Sequence, residues 1–299
     1  MKYSSIIIAG PTASGKSGFA HELAKQINGA IINADSVQIY RGIENISASP
    51  FAGKTEPFNE IDGVPYKLFS MFPLNEHISV AEYLKFAQRA YYEVLAMGRV
   101  PIFVGGTGYY IDVLVNGISQ IPEIDEDIRN RAREIVDKEF NAAKQLLPAD
   151  FKPTDPQRTA RALEVFLQTG IHLNEWQKKP RVGAIAQNAM RILIMPDREE
   201  LLTRISSRIP EMIDGGAINE ARNIIKNNLD SSRAIGADQI CEMLRGFMSQ
   251  EEAIENWTTK TNQYAKRQRT WFKNQYNPDY QILRAPKSED IERVIELLK

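Results

Sequence analysis

Ile6-Ile7-Ile8-Ala9-Gly10-Pro11-Thr12-Ala13-Ser14-Gly15-Lys16-Ser17 is the stretch on which the reading of the fold turns. A short apolar run that ends in glycine reads as a buried parallel strand. The residues from Gly10 to Ser17 match G-x-x-x-x-G-K-[ST]. Glycines let the backbone wrap closely around phosphate oxygens, and the amide N–H groups at the start of the following helix point at the anion. Lys16 adds a cation, and the Ser17 hydroxyl can coordinate Mg²⁺. Gly10, Pro11, Thr12, Ala13, Ser14, Gly15, Lys16 and Ser17 are therefore expected to bind a phosphate. The loop does not say which one, because kinases, NTPases and pyrophosphate users share it.

Similar apolar runs recur at 30–33, 100–104 and 192–195, with helical patterns between them at 17–27 and 79–97. In the second of these Val80, Leu84, Ala87, Tyr91 and Val94 share a face, and Gly98 is a fitting C-terminal stop. Strands that alternate with helices predict an α/β fold: a P-loop NTPase-like parallel sheet flanked by helices. From about residue 118 to 188 the rhythm breaks into charged helical segments, 125–147 and 156–168, the latter closed by Gly170. We expect a core of residues 1–117 and 189–299 and an all-helical insertion domain of residues 118–188. Asp197 is a fitting N-cap for the helix that follows the returning strand.

Composition narrows the classes. With 299 residues, 43% hydrophobic and 25% charged, the chain reads as an ordinary globular protein. A net charge of −1 leaves no whole-protein field for an anionic partner, so a nucleic-acid surface would have to come from local clustering of basic residues. Cys241 is the only cysteine, which excludes an intramolecular disulfide and a multi-cysteine zinc site. His21, His77 and His172 have no metal-ligand spacing. The start, from Met1 to Gly10, lacks a long apolar region and a cleavage site, and no run is long enough to span a bilayer. A cytoplasmic protein with no membrane association is expected.

Three further segments carry chemistry. Asp35, in Asn33-Ala34-Asp35-Ser36-Val37-Gln38-Ile39-Tyr40-Arg41-Gly42, follows a strand end, where ligands of open parallel sheets bind. A carboxylate there can bind Mg²⁺, accept a proton or cap a turn. Gly105-Gly106-Thr107-Gly108 follows another strand end and marks a tight turn. From Asn256 to Pro278 the chain carries Lys260, Lys266, Arg267, Arg269 and Lys273 and no acid. Trp257, Tyr264 and Trp271 recur every seven residues on one helical stripe, read as core packing, with Lys266, Arg269 and Lys273 roughly opposite, suited to phosphate backbone.

Taken together, these segments resemble the tRNA dimethylallyltransferase (tRNA isopentenyltransferase) family, in its bacterial form without a zinc finger. The resemblance rests on GPTASGKS followed by DSVQIYRG, on Gly105-Gly106-Thr107, on Asp155-Pro156-Gln157-Arg158-Thr159-Ala160-Arg161-Ala162-Leu163-Glu164 and on Lys266-Arg267-Gln268-Arg269-Thr270-Trp271-Phe272, and it runs from residue 8 to about 274. It implies that Asp35 is a general base for the exocyclic amine of a flipped-out adenine and that Ser36, Val37 and Gln38 contact that base. Thr107 would line the reaction channel, and Arg208 would bind the pyrophosphate of dimethylallyl diphosphate with Mg²⁺. It also implies tRNA contacts at Arg129, at Gln157, Arg158 and Arg161 (the anticodon arm), and along Lys266, Arg267, Arg269 and Lys273. The product would be N6-isopentenyladenosine at tRNA position 37, made by a monomer. The family segment aligned with Arg233 to Asp238 usually has an aromatic and a basic residue where this chain has Ala237 and Asp238.

Three other readings stay open on sequence alone. They are a P-loop small-molecule kinase with the insertion as lid, an isopentenyltransferase acting on free adenylate, and a non-catalytic RNA-binding protein with a nucleotide switch. The first two leave the basic C-terminal helix and the arginine-bearing insertion without a role, and the third does so for Asp35 and Thr107.

Overall fold

The structure, a computed structural model, describes residues 2–54, 56, 59–148, 151 and 155–299. Met1, where the reading of the amino terminus begins, lies outside them. The chain forms two compact units, Met1–Val115 with Ile185–Lys299, and Asn116–Ala184.

The first unit begins with β1 (Ser5–Ala9), α1 (Lys16–Gln26), β2 (Gly29–Asn33), β3 (Glu60–Ile61), β4 (Val64–Lys67), α2 (Val80–Ala96), β5 (Val100–Gly105) and α3 (Gly108–Asn116). In the second unit lie β6 (Ile118–Ser119), α4 (Glu126–Lys138), α5 (Phe140–Gln145), α6 (Pro156–Thr169), α7 (Leu173–Lys178) and β7 (Arg181–Val182). The first unit resumes with β8 (Ala189–Ile194), α8 (Arg198–Met212), a kink (Ile213–Ala217) with left-handed backbone at Gly216, α9 (Ile218–Lys226), α10 (Ala237–Leu244), α11 (Gln250–Gln275), β9 (Tyr280–Ile282) and α12 (Ser288–Leu298).

The main sheet has the order β3-β4-β2-β5-β1-β8-β9, parallel except for the β3–β4 hairpin. β1 lies between β5 and β8, with Ile7 opposite Phe103 on one side and Arg191 on the other. Every residue of β1, β2 and β5 is buried, which is why each reads as an unbroken apolar run rather than an alternating one. A core centred on Ile6, Ile8, Leu23, Ile31, Ile102 and Ile192 packs α1 and α12 onto the sheet. The C-terminal ends of β1, β2 and β5 therefore open onto one edge, where the loops at 10–15, 34–38 and 105–108 begin.

The helix ends form for the reasons legible in their residues. Ser79 and Glu82 make a reciprocal capping box for α2. Asp197 accepts from the Glu200 amide at the start of α8, and Asp155 from the Arg158 amide ahead of Pro156. Gly170 closes α6 with φ +68.

The second unit has its own small core of Ala132, Val136, Ala143, Ala160 and Leu163. The expectation of an all-helical insertion needs one addition. Ile118 pairs with Val182 and Ser119 with Arg181 in a short antiparallel ladder that joins the two ends of the unit. No helix among the described residues is long and apolar enough to cross a membrane.

Candidate active site

The loop between β1 and α1 turns through left-handed backbone at Ala13 (φ 62) and Gly15 (φ 88). It is braced from both sides. Arg204, ion-paired with Glu200 at 2.8 Å, donates to the Ala13 carbonyl at 3.3 Å. Lys16 Nζ curls back to the Pro11 carbonyl at 3.2 Å. Burial lowers the Lys16 pKa to about 8, against the attraction of Asp35 and helped by repulsion from Arg208. On α8, Arg208 donates to Thr12 Oγ1 at 2.9 Å. Its own pKa is lowered by burial, with Asp35 and Glu211 pulling the other way.

Asp35 sits just past β2 in a fixed local frame. Its amide donates to Asn33 Oδ1 at 2.8 Å, and its Oδ1 accepts from the Val37 amide at 2.9 Å. Asn33 Nδ2 in turn holds the Asp35 and Leu68 carbonyls. The Ser36 amide donates to Thr107 Oγ1 at 2.9 Å, and the Thr107 hydroxyl reaches Ser36 Oγ at 3.2 Å. The glycines flanking Thr107 permit this approach. A Cβ on Gly105 would lie 2.0 Å from the Ala34 carbonyl oxygen, and one on Gly108 would enter the Trp271 ring.

Thr12 to Ser17, Asp35, Ser36 and Val37 line one cavity of about 490 Å³, together with Gln38, Arg208, Tyr264 and Arg267. Thr107, expected to line the channel, is not part of that lining and meets it through Ser36. The lining also includes the apolar side chains of Ile46, Ile209, Met212, Ile235 and Trp257. It thus combines cations and loop amides, a carboxylate, and apolar side chains that suit a hydrocarbon. Tyr264 has its phenol pushed up by burial and by the Asp35 charge. Gln38 donates to the Ser47 and Ala48 carbonyls, so its amide nitrogen serves its own loop.

The structure brings the residues from Gly10 to Ser17, Asp35 to Gln38, Thr107 and Arg208 into one region. The basic helix divides. Lys266 and Lys273 are exposed, and Arg267 lines the cavity with its guanidinium 5.7 Å from the Tyr264 ring. Arg269 is half-buried and donates to the Pro196 carbonyl. The aromatic stripe packs inward, as expected of a core face, yet Trp257 and Tyr264 also line the cavity. Within the second unit, Gln157, Arg158 and Arg161 are exposed on α6 and Arg129 is half-buried on α4. Arg161 pairs with the buried Glu164 at 3.2 Å.

Several contributors escaped sequence reading. Gln268, Tyr264 and Arg204 are among them, as is Glu220, whose carboxylate accepts from the Asn45 amide, Asn45 Nδ2 and the Ile46 amide at 2.7–2.9 Å. Gly236 keeps its turn with φ +105 against the Trp257 ring, while Ala237 is buried and Asp238 bonds Ser231. Those last two side chains are occupied within the fold.

Comparison with known proteins agrees with this geometry. The family described as IPP transferase matches residues 38–275, and the family described as isopentenyl transferase matches residues 4–61. The tRNA dimethylallyltransferase of Rhizobium etli (strain CIAT 652) is 38% identical over 293 residues, covering 93% of this chain and 96% of its own length. That of Sphingopyxis alaskensis is 41% identical over 282 residues, with 90% and 89% covered. The structure of the full-length tRNA isopentenylpyrophosphate transferase from Bacillus halodurans matches with a TM-score of 0.69 at 30% identity, over 99% of this chain and 96% of that one. A eukaryotic dimethylallyltransferase acting on tRNA matches with a TM-score of 0.73 at 26% identity, over 90% of this chain and 69% of that one.

Proposed function

The chain belongs to the tRNA dimethylallyltransferase family, and from that premise we propose that it joins dimethylallyl diphosphate to N6 of the adenine at tRNA position 37, next to the anticodon. Transfer of a dimethylallyl group to tRNA comes with the family; the donor, the acceptor atom and the residues are our reading. The observation that carries it is the single cavity lined at once by the phosphate-binding loop, Arg208 and Asp35 to Gln38.

The donor's pyrophosphate lies on the loop amides, Lys16 and Arg208, and its hydrocarbon tail packs on the apolar residues of the lining. The adenine leaves its stack to enter the cavity, because chemistry on a stacked base is sterically blocked. Ser36, Val37 and Gln38 hold its edge and Thr107 keeps that segment in place. The N6 lone pair forms a bond to the allylic carbon as the carbon–oxygen bond breaks, and the electron pair departs with pyrophosphate. Asp35 takes the N6 proton. Lys16 and Arg208 stabilise the charge that grows on the leaving group.

The donor set suits Mg²⁺. Ser17 and Asp35 offer oxygens at the cavity, and no cluster of three metal-binding side chains occurs among the described residues. That matches an ion bound mainly through phosphate oxygens and water. When bound, it would help neutralise the pyrophosphate.

Exposed Lys266, Arg267 and Lys273 on α11, and Arg129, Gln157, Arg158 and Arg161 in the second unit, are assigned to the tRNA backbone; Arg269 retains that role only through N–H groups not given to Pro196. One chain supplies the cavity lining, so a monomer suffices, and a tRNA substrate suits the cytoplasm. The test is incubation with labelled dimethylallyl diphosphate and Mg²⁺, offering unmodified tRNA or AMP. Label at A37 is expected. Label in AMP alone, or ATP turnover without transfer, would overturn the reading.

A further inference from the structure

Gln268, on α11, is 6% exposed and touches both halves of the site. Its Oε1 accepts from the Thr12 amide at 2.8 Å, and its Nε2 donates to the Gly106 carbonyl at 2.9 Å. Each end continues into the site. Thr12 carries the hydroxyl that accepts from Arg208, and Gly106 precedes Thr107, which holds the Ser36 amide. A side-chain amide that reads an N–H with one end and a carbonyl with the other has one orientation here, since the flipped form sets donor against donor and acceptor against acceptor. The fit is tight. A Cβ on Gly106 would stand 2.3 Å from Gln268 Nε2.

We propose that Gln268 is a positioning residue that keeps the donor-holding loop in register with the acceptor-holding segment. The inference rests on the roles given above to the loop, Arg208 and Asp35. Gln268 touches neither substrate in it. It sets how far the allylic carbon stands from the amine, and misplacement by about 1 Å is enough to cost about 10²-fold in rate.

A protonated glutamic acid can replace both hydrogen bonds of the glutamine, with its carbonyl accepting from Thr12 and its O–H donating to Gly106. Ionised glutamate cannot, because it only accepts. Burial raises the pKa of such a carboxyl above its usual value of about 4.3. The experiment is steady-state transfer to tRNA by the wild type, Gln268→Glu, Gln268→Leu and Gly106→Ala between about pH 6 and pH 8.5, with thermal melts of each.

At the alkaline end Gln268→Glu should lose about 10- to 100-fold in kcat, with KM for tRNA and for donor within about threefold of wild type. Its kcat relative to wild type at the same pH should climb as the pH falls. Gln268→Leu should stay low throughout, and Gly106→Ala should lose kcat in the same way without a pH-dependent ratio. An active wild type with Gln268→Glu at full kcat, or with its loss in KM, or with a loss that tracks the melting temperature and ignores pH, overturns the positioning role alone. A wild type that transfers nothing to tRNA overturns the proposed function and this inference with it.

Discussion

Replacing Lys16 by methionine should make the ligand-free protein more stable while removing its hold on pyrophosphate. Burial takes the Lys16 pKa from 10.5 to about 8. Between those values the unfolded chain binds more protons than the folded one, so this group's contribution to stability rises with pH across that window. Below about pH 8 the full cost of keeping the ammonium charged applies, about 3 kcal/mol at 1.36 kcal/mol per pKa unit. Methionine removes that cost but also the bond to the Pro11 carbonyl, which is worth about 1–2 kcal/mol as a charge-assisted contact. The net gain near pH 7 is about 1–2 kcal/mol, or about 2–3 °C in Tm for a chain of this size. The assay is thermal unfolding with and without pyrophosphate and Mg²⁺, near pH 7 and near pH 10. The variant should melt higher than wild type at pH 7, lose most of that advantage at pH 10 and gain nothing from pyrophosphate. A variant that melts lower at pH 7, or a gap that does not change with pH, would refute the reasoning.

Other substitutions separate the remaining roles. Asp35→Asn keeps an acceptor for the Val37 amide, so tRNA KM should stay within a few-fold while single-turnover transfer falls about 100-fold or more. Glu220 has its pKa raised by burial despite its three donors, so its ionisation costs stability as pH rises above about 4.5. Glu220→Gln should flatten that part of the Tm–pH profile and, by loosening the 45–48 loop that lines the cavity, raise tRNA KM. Gly236→Ala forces a Cβ to 2.2 Å from the Trp257 ring at φ +105 and should cost about 2–4 kcal/mol in urea unfolding. Arg158→Ala, on an exposed helix face, should leave Tm and donor KM unchanged, raise tRNA KM and lessen its salt dependence.

What could be read from the sequence was what lies close together along the chain. Ile6 to Ser17 is a strand, a loop and a helix start in one uninterrupted segment, and each part has its own local signal. The caps at Ser79, Asp155 and Asp197 are legible for the same reason. The β3–β4 hairpin had a signal too: Asp62-Gly63, with φ 49 and 77, is a favoured two-residue turn. The flanking strands are short and Pro65 interrupts their pattern, so it passed unread. β9 has three residues, too few for any periodicity. The larger gap is in the site. Gln268 meets Thr12 across 256 residues, and Glu220 meets Asn45 across 175. Only tertiary packing, of α11 on α8 and α10 and of α9 on α10, creates those pairs. A glutamine within a basic, aromatic helix carries no local mark of the carbonyl and amide it will find. Arg269 shows the converse, since its spacing suggests a free cation and the fold ties it to Pro196.

The two cations and the one carboxylate of the cavity also explain how a phosphate-binding loop can serve a reaction in which no phosphoryl group moves. Lys16 and Arg208 both feel the charge of Asp35. In the proposed step Asp35 gains a proton and loses one negative charge, while pyrophosphate gains one as the carbon–oxygen bond breaks. The negative charge facing the two cations therefore changes place and not amount. A preorganised pair of cations need not reorient to meet it, which is the condition under which fixed charges contribute most to a rate. A phosphoryl-transfer enzyme holds the transferred group itself on such cations. Here the same loop holds the part that leaves, and the carboxylate at the end of β2, with β5 between that strand and β1, supplies the charge that the leaving group takes up.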